Sequence, residues 1–168
     1  MRDGGLRLRA LEPEDLEVLY QIENDPSLWD VGLSNVLYSH YALKAFIANT
    51  ANDIYTDKQL RLVMEFNGRV VGMVDLMAFE PEHLRAEIGV VVLEEFRRQG
   101  LATQAVRMLF DYCRSKIHLH QLYVWVTADN TPSRGLFRTL GFSASCIVKD
   151  WIFNGEEYKD AILMQFFL

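Results

Sequence analysis

Leu6, Leu8 and Ala10 alternate with Arg7 and Arg9, the period-two pattern of a half-buried strand. Pro13 suits a first helical position. Leu16, Leu19, Tyr20 and Glu23 follow at helical spacing until Asn24-Asp25-Pro26 stops the run. Ser39 is placed to cap a second helix through Leu43, Phe46 and Ile47 toward Asn52. The period then changes. Leu60 to Phe66 and Val70 to Phe79 read as two strands joined at Asn67-Gly68, a dipeptide that accepts the positive φ angles of a tight hairpin. Arg85 to Leu93 is almost continuously apolar through Ile88-Gly89-Val90-Val91-Val92, which predicts a central strand covered on both faces. Gly100 opens a long helix with Leu101, Ala105, Met108, Leu109 and Tyr112 as its stripe. Leu122 to Thr127 predicts another strand. Thr131-Pro132 starts a short helix carrying Leu136, Phe137 and Leu140, which Gly141 ends. Phe142 to Phe153 and Tyr158 to Phe167 read as final strands around a second hairpin turn at Asn154-Gly155. Strand, two helices, three strands, helix, strand, helix and two strands make a mixed α/β sheet.

Composition narrows the picture. Half of the 168 residues are apolar, which excludes wholesale disorder and suits one domain with a sizeable core. Seventeen Lys and Arg against 23 Asp and Glu give a net charge of −6, the wrong sign for nucleic-acid binding. Cys113 and Cys146 are lone thiols, without the CxxC pair or even framework of a zinc site or disulfide scaffold, and are expected to pack. No apolar signal core follows Met1, and no stretch of about 18 apolar residues occurs, so a cytoplasmic protein without a membrane partner is expected.

Candidate chemistry concentrates in Val90-Val91-Val92-Leu93-Glu94-Glu95-Phe96-Arg97-Arg98-Gln99-Gly100-Leu101-Ala102-Thr103. A central strand here runs into a helix start, where unpartnered backbone N–H groups and the helix dipole favour an anion such as phosphate. Arg97 and Arg98 add positive charge, and Gly100 lets backbone approach a ligand. The segment is neither a P-loop nor a Rossmann fingerprint. An ordinary strand-to-helix loop fits the same residues.

Arg97-Arg98-Gln99-Gly100-Leu101-Ala102 resembles the Q/R-x-x-G-x-G/A signature of the GNAT superfamily of N-acetyltransferases. Asn130-Thr131-Pro132-Ser133-Arg134-Gly135-Leu136-Phe137-Arg138-Thr139-Leu140-Gly141-Phe142 resembles a second block of that family, after the next strand. Phe153 to Asp160 is similar to the branch of spermidine acetyltransferases and acetyltransferases of ribosomal-protein N-termini. The resemblance runs from Leu6 to Phe167. It implies one GNAT domain over residues 1–168, with a mostly antiparallel sheet splayed between its central strands and flanked by helices. It implies acetyl-CoA as cosubstrate, without a metal. Val90, Val91 and Val92 would offer backbone groups to the pantetheine arm. Arg97, Arg98, Gln99, Gly100, Leu101, Ala102 and Thr103 would hold the pyrophosphate. Asn130 would touch the cofactor, and Phe137 would lie near the sulfur.

The reaction sets its own demand. An alkylammonium with a pKa near ~10.4 must lose a proton before it attacks a thioester, which costs roughly 4–5 kcal/mol at neutral pH. A positioned carboxylate can take that proton. Glu87, at the start of the central strand, is the first candidate, although a plain ion pair with Arg85 fits it equally. Glu65 and Asp75 come next. The family often has tyrosine, an acid for the departing thiolate, where this chain has Phe137. Ser133, one turn earlier, could supply a hydroxyl, but also reads as a surface residue.

His118 and His120 read as a surface loop, and Trp29, Trp125 and Trp151 as packing anchors. Glu23, Asp25 and Asp30 could attract a polyamine or simply solvate helix ends. Trp29 to Leu33 keeps one carboxylate, fewer than spermidine acetyltransferases carry there. The acceptor expected is a polyamine-like small amine, with a protein N-terminus or an antibiotic amine as alternatives. A non-catalytic acyl-CoA-binding module is a reading from another class, and assembly as a homo-oligomer stays open.

Overall fold

The computed structural model describes residues 1–29 and 36–168. Its elements are β1 (Arg2–Asp3), β2 (Leu6–Ala10), α1 (Leu16–Glu23), α2 (Pro26–Trp29), α3 (His40–Asn49), α4 (Ile54–Asp57), β3 (Leu60–Phe66), β4 (Arg69–Glu80), β5 (Arg85–Val92), α5 (Leu101–Tyr112), β6 (Gln121–Thr127), α6 (Thr131–Thr139), β7 (Ser143–Phe153) and β8 (Tyr158–Phe167). One eight-stranded sheet has the order β1-β2-β3-β4-β5-β6-β8-β7. Every neighbouring pair is antiparallel except β5 and β6. This is the mixed, mostly antiparallel sheet that the resemblance implies.

Local chemistry places the elements. Asn67 (φ 51°) and Gly68 (φ 77°) make the tight turn between β3 and β4. The Ser39 hydroxyl accepts from Ala42 N–H at 3.1 Å and caps α3. That helix ends at Asn49 rather than near Asn52. Thr50 is already extended, and its hydroxyl and the Ala51 N–H both donate to the Asp57 carboxylate at 3.0 Å. α2 and α4 have only four residues each, too short for a repeat to be read. The link between β7 and β8 is a four-residue loop rather than a two-residue turn. Asn154 Oδ1 accepts from the N–H groups of Glu156 and Glu157 at 2.9 and 2.8 Å and closes it.

Alternation along the strands gives the sheet two faces with two cores. On one face, Leu6, Leu8, Met64, Val74, Leu76, Ile88, Leu122, Val124 and Met164 pack under the stripe of α5 and under Phe137 and Leu140 of α6. This core runs under the sheet from β2 to β8. On the other, Leu11, Val63 and Met73 pack against Leu19, Ile22, Leu43 and Ile47 of α1 and α3. That second core stops at β5. A buried fork ties its helices to the sheet: Arg9 donates to both Asp15 carboxylate oxygens, at 2.7 and 2.8 Å. Burial pushes the Asp15 carboxyl up, and Arg9 together with the Glu12 N–H more than reverses this, leaving it below its ordinary value.

The feature that positions the site is a parting of strands. β5 pairs with β6 only over Arg85–Glu87, against Gln121–Tyr123. Beyond Glu87 the two strands keep only their other partners. β5 stays on β4 through Val92, and β6 stays on β8 through Thr127. The splay predicted between the central strands is present.

Gly72 lets β4 hold β5 along this free stretch. A Cβ there would lie 2.1 Å from the Val91 carbonyl oxygen, a backbone atom that cannot move aside alone. Gly135, inside α6, has nothing within 4 Å of its Cβ position. Gly72→Ala should therefore destabilise by about 1–3 kcal/mol, whereas Gly135→Ala should stabilise by about 0.5–1 kcal/mol through helix propensity. Urea midpoints of the two variants moving in opposite directions from the parent are the expected outcome. A harmless Gly72→Ala would mean that the β4–β5 approach is looser than described.

Candidate active site

The parting leaves a wedge with β5 as one wall. Leu93 N–H donates to the Val71 carbonyl at 2.9 Å, in register with the Met73–Val91 pairing. Antiparallel ladders alternate, so Leu93, Val91 and Gly89 turn their backbone groups toward β4. Val92, Val90 and Ile88 turn theirs toward the wedge. The Val92 carbonyl accepts from Arg97 Nε at 3.0 Å, as such an open edge allows. Of the three valines, Val90 and Val92 thus present backbone to the opening, and Val91 is committed to Met73.

The wedge leads to the start of α5. Gly100 is its N-cap in the left-handed region (φ 77°), and no side chain caps the helix. Its first intrahelical bond is Gln104 N–H to the Gly100 carbonyl, so the N–H groups of Leu101, Ala102 and Thr103 precede the ladder. Arg98 is also left-handed (φ 62°). Arg97, Arg98, Gln99 and Gly100 are all exposed. Gln99 Nε2 donates to the Glu95 carbonyl at 3.3 Å, which fixes the turn. The side chain of Leu101 is buried in the core, so only its backbone faces the loop. Helix dipole, free N–H groups and two arginines converge here, a combination suited to a phosphate group.

Glu87 marks the apex of the wedge. It is the last residue of β5 paired with β6, opposite Tyr123. It is only 8% exposed, and burial alone raises its carboxyl above the ordinary value. Among the described residues no cation or hydrogen-bond donor meets it. Arg85 does not pair with it, because Arg85 forks onto Glu80 with bonds of 2.9 and 2.8 Å. The other carboxylates considered are already held. Glu65 binds Arg9 at 2.8 Å. Asp75 forks with Arg61 at 3.0 Å to each oxygen, and Arg61 also binds Glu23. Asp25 accepts from Ser27 N–H at 2.9 Å, and Asp30 lies outside the described residues.

The second block forms α6. Asn130 caps it, its side chain accepting from Ser133 N–H at 3.1 Å. Ser133 is half-buried. Phe137 is 2% exposed and meets Phe142 edge-to-face, centroids 5.1 Å apart, so its ring is a packing element of the larger core. Cys113 is buried, its thiol pushed up to about 12 by burial, and serves packing as expected. Cys146 is exposed on β7 and does not. Trp151 is 59% exposed rather than buried, because β7 is an edge strand with no helix packed on it among the described residues. The side chain of Trp29 is not described. Among the described residues no three His, Cys, Asp or Glu side chains form a ligand group, and no helix is long and apolar enough to cross a membrane.

Sequence reasoning missed Tyr123. Burial and then Glu87 raise its phenol, so the two groups interact. The available signal was the alternation Gln121-Leu122-Tyr123-Val124-Trp125-Val126, which sets two aromatic residues on one face of β6.

A buried carboxylate without a cation costs stability when ionised. The native pKa of Glu87 lies above its ordinary value of 4.5, so the folded state holds the proton more tightly than the unfolded chain. The penalty is complete above the native pKa and fades as pH falls through it toward 4.5. Glu87→Gln should therefore raise the urea midpoint at pH 7.5, and its advantage should shrink on acidification. An advantage growing toward low pH would contradict this reading.

Comparison with known proteins agrees with this architecture. Residues 5–143 match the sequence profile of the Acetyltransferase (GNAT) domain. Spermidine N(1)-acetyltransferase of Escherichia coli strain K12 is 29% identical over 162 residues, 96% of this chain and 86% of that protein. Two solved structures share the fold. Spermidine N-acetyltransferase from Vibrio cholerae in complex with CoA and spermine aligns with a TM-score of 0.89 at 23% identity, covering 98% of this chain and 96% of that one. The RimL ribosomal-protein alpha-N-acetyltransferase in complex with coenzyme A aligns with a TM-score of 0.88 at 17% identity, covering 99% and 96%. With the profile matched over most of its length and the wedge of the fold in place, the chain belongs to the GNAT family and is an N-acetyltransferase.

Proposed function

We propose that this protein transfers the acetyl group of acetyl-CoA to a small, polyamine-like primary amine, using residues 1–168 as one N-acetyltransferase domain. The observation that carries the reading is Glu87, a buried carboxylate with no cation at the apex of the wedge. A cationic acceptor supplies the missing charge, and a carboxylate with a raised pKa is a better base for an ammonium than an exposed one. The relationship to the E. coli spermidine acetyltransferase supports the same acceptor class.

The residues present suit the cosubstrate. Val90 and Val92 offer backbone groups to an amide-bearing arm lying in the wedge as an added strand. The N–H groups of Leu101, Ala102 and Thr103, with Arg97, Arg98 and the Gln99–Gly100 turn, receive the pyrophosphate. Asn130 keeps its amide NH₂ for the cofactor while its oxygen caps α6. No metal enters the scheme. Glu87 takes the ammonium proton, directly or through water, and the freed amine forms the new N–C bond as the C–S bond breaks. No covalent enzyme intermediate is required. Phe137 has no proton to give, so the Ser133 hydroxyl is the group assigned to the departing sulfur. A thiol with a pKa near ~8.5 leaves without full protonation.

A protein N-terminus is the second reading, favoured by the likeness to the ribosomal-protein acetyltransferase. Thiol release from acetyl-CoA against polyamines, diamines and alanine- or serine-starting peptides separates the two. Turnover with spermidine, falling as salt rises, is expected. Turnover only with peptides would establish the second reading, and none with any acceptor would leave a binding module.

The cosubstrate site has its own test. Gly100→Ala measures the strain of a side chain at φ 77°, and Gly100→Glu adds a negative charge beside the pyrophosphate. Calorimetry should give an acetyl-CoA affinity about tenfold or more weaker for Gly100→Glu than for Gly100→Ala. Equal affinities would remove the loop from the site.

A further inference from the structure

The two layers of helices do not cover the sheet equally. The core formed by α1 and α3 ends at β5 and Val91, and that face of β6, β8 and β7 carries no helix packed on it among the described residues. On this bare face stand Tyr123 and Trp125, the alternate residues of β6 whose neighbours Leu122, Val124 and Val126 are buried in the larger core. Trp125 stacks on Trp151 of the edge strand, with centroids 5.9 Å apart and planes at 29°. Tyr123 is the register partner of Glu87. Three aromatic side chains thus run outward in a row from the buried carboxylate.

Charge on this face follows the same direction. Arg61 is shared by Glu23 and Asp75. Arg9 is held by Asp15 and Glu65, and Lys159 by Asp129 at 2.9 Å. Glu87 remains uncompensated. An open aromatic surface ending at an uncompensated carboxylate suits an aliphatic cation. The flat faces of tryptophan attract an ammonium and its methylene groups, and the carboxylate draws the terminal amine to the wedge.

We propose that Tyr123, Trp125 and Trp151 form the acceptor wall. It selects amines that carry a second cationic centre a short aliphatic spacer away from the nitrogen acetylated at Glu87. The inference rests on the polyamine reading above and adds the residues that discriminate within it. Tyr123 borders the reacting amine, and the Trp125–Trp151 stack takes the second cation. These tryptophans act on binding, not on proton transfer.

The test uses the full chain and two acceptors, 1,4-diaminobutane and butylamine, which differ in the second ammonium. The quantity read is the ratio of their kcat/KM values. In Trp151→Leu this ratio should fall about 3–30-fold, chiefly through KM for the diamine, and Trp151→Phe should restore much of it. Trp125→Leu should act in the same direction. Trp151 is the leading site because it is exposed on an edge strand, where leucine leaves the core intact. If the parent acetylates both amines and the ratio does not move in Trp151→Leu, the wall is overturned and the polyamine reading stands. If the variant instead changes the sedimenting mass with the ratio unmoved, the stack is a contact between copies of the chain, and the wall is again overturned. If the parent acetylates no amine of this kind, the polyamine reading falls and the wall with it.

Discussion

The structure depends on how far β5 and β6 stay together. They share three residue pairs and then part, yet each keeps a complete antiparallel partner on its other side. The ladder forgone is therefore confined to one seam, where unpaired backbone must be wetted or occupied. What prevents the halves from separating is the larger core, which runs from Leu6 and Leu8 to Met164 under the seam without a break. Burial on one face holds the sheet together and leaves the other face free to open. Gly72 contributes from β4 by letting that strand approach the β5 backbone along the free stretch.

The seam also explains why Glu87 is both raised by burial and left without a cation, whereas Asp75, which burial also raises, is held by Arg61. Glu87 sits buried at the last shared rung, and among the described residues no guanidinium meets it. Asp75 and Glu65 lie on strands paired throughout, where Arg61 and Arg9 on the neighbouring strands pair with them. A group that costs stability is retained where strand pairing ends and ligand binding would begin, the pattern expected of a site rather than of a scaffold.

Much of this was legible in the sequence because the relevant signals are local. The Asn67-Gly68 turn, the Ser39 cap, the apolar run of β5 and the glycine start of α5 each depend on a few adjacent residues. The parting of the strands entered through the family resemblance, not from the pattern, because register between β5 and β6 is set by packing across the whole sheet. The same limit explains Arg85. Sequence proximity suggested Glu87 as its partner, but alternation fixes only the faces of the sheet, and the turn after β4 brings Glu80 within fork distance. Four-residue helices and the closed loop at Asn154 were hidden for want of a repeat.

Phe137 shows how a resemblance and a structure divide the evidence. The resemblance implies a place for this residue beside the cofactor sulfur, where a tyrosine acid is common in the family. In the fold the ring is buried against Phe142, within the aromatic group that includes Phe110 and Phe166. A hydroxyl there would need a polar partner at the wedge or carry the cost of an unsatisfied buried donor. The phenylalanine therefore stabilises the core that bridges the seam, and in the proposed mechanism the proton chemistry falls to groups able to reach the opening. Thiolate is a fair leaving group, whereas an ammonium is inert until deprotonated, so losing the acid costs this reaction less than losing the base. On that asymmetry, the proposed mechanism, with Glu87 as the base, does not require a tyrosine at 137.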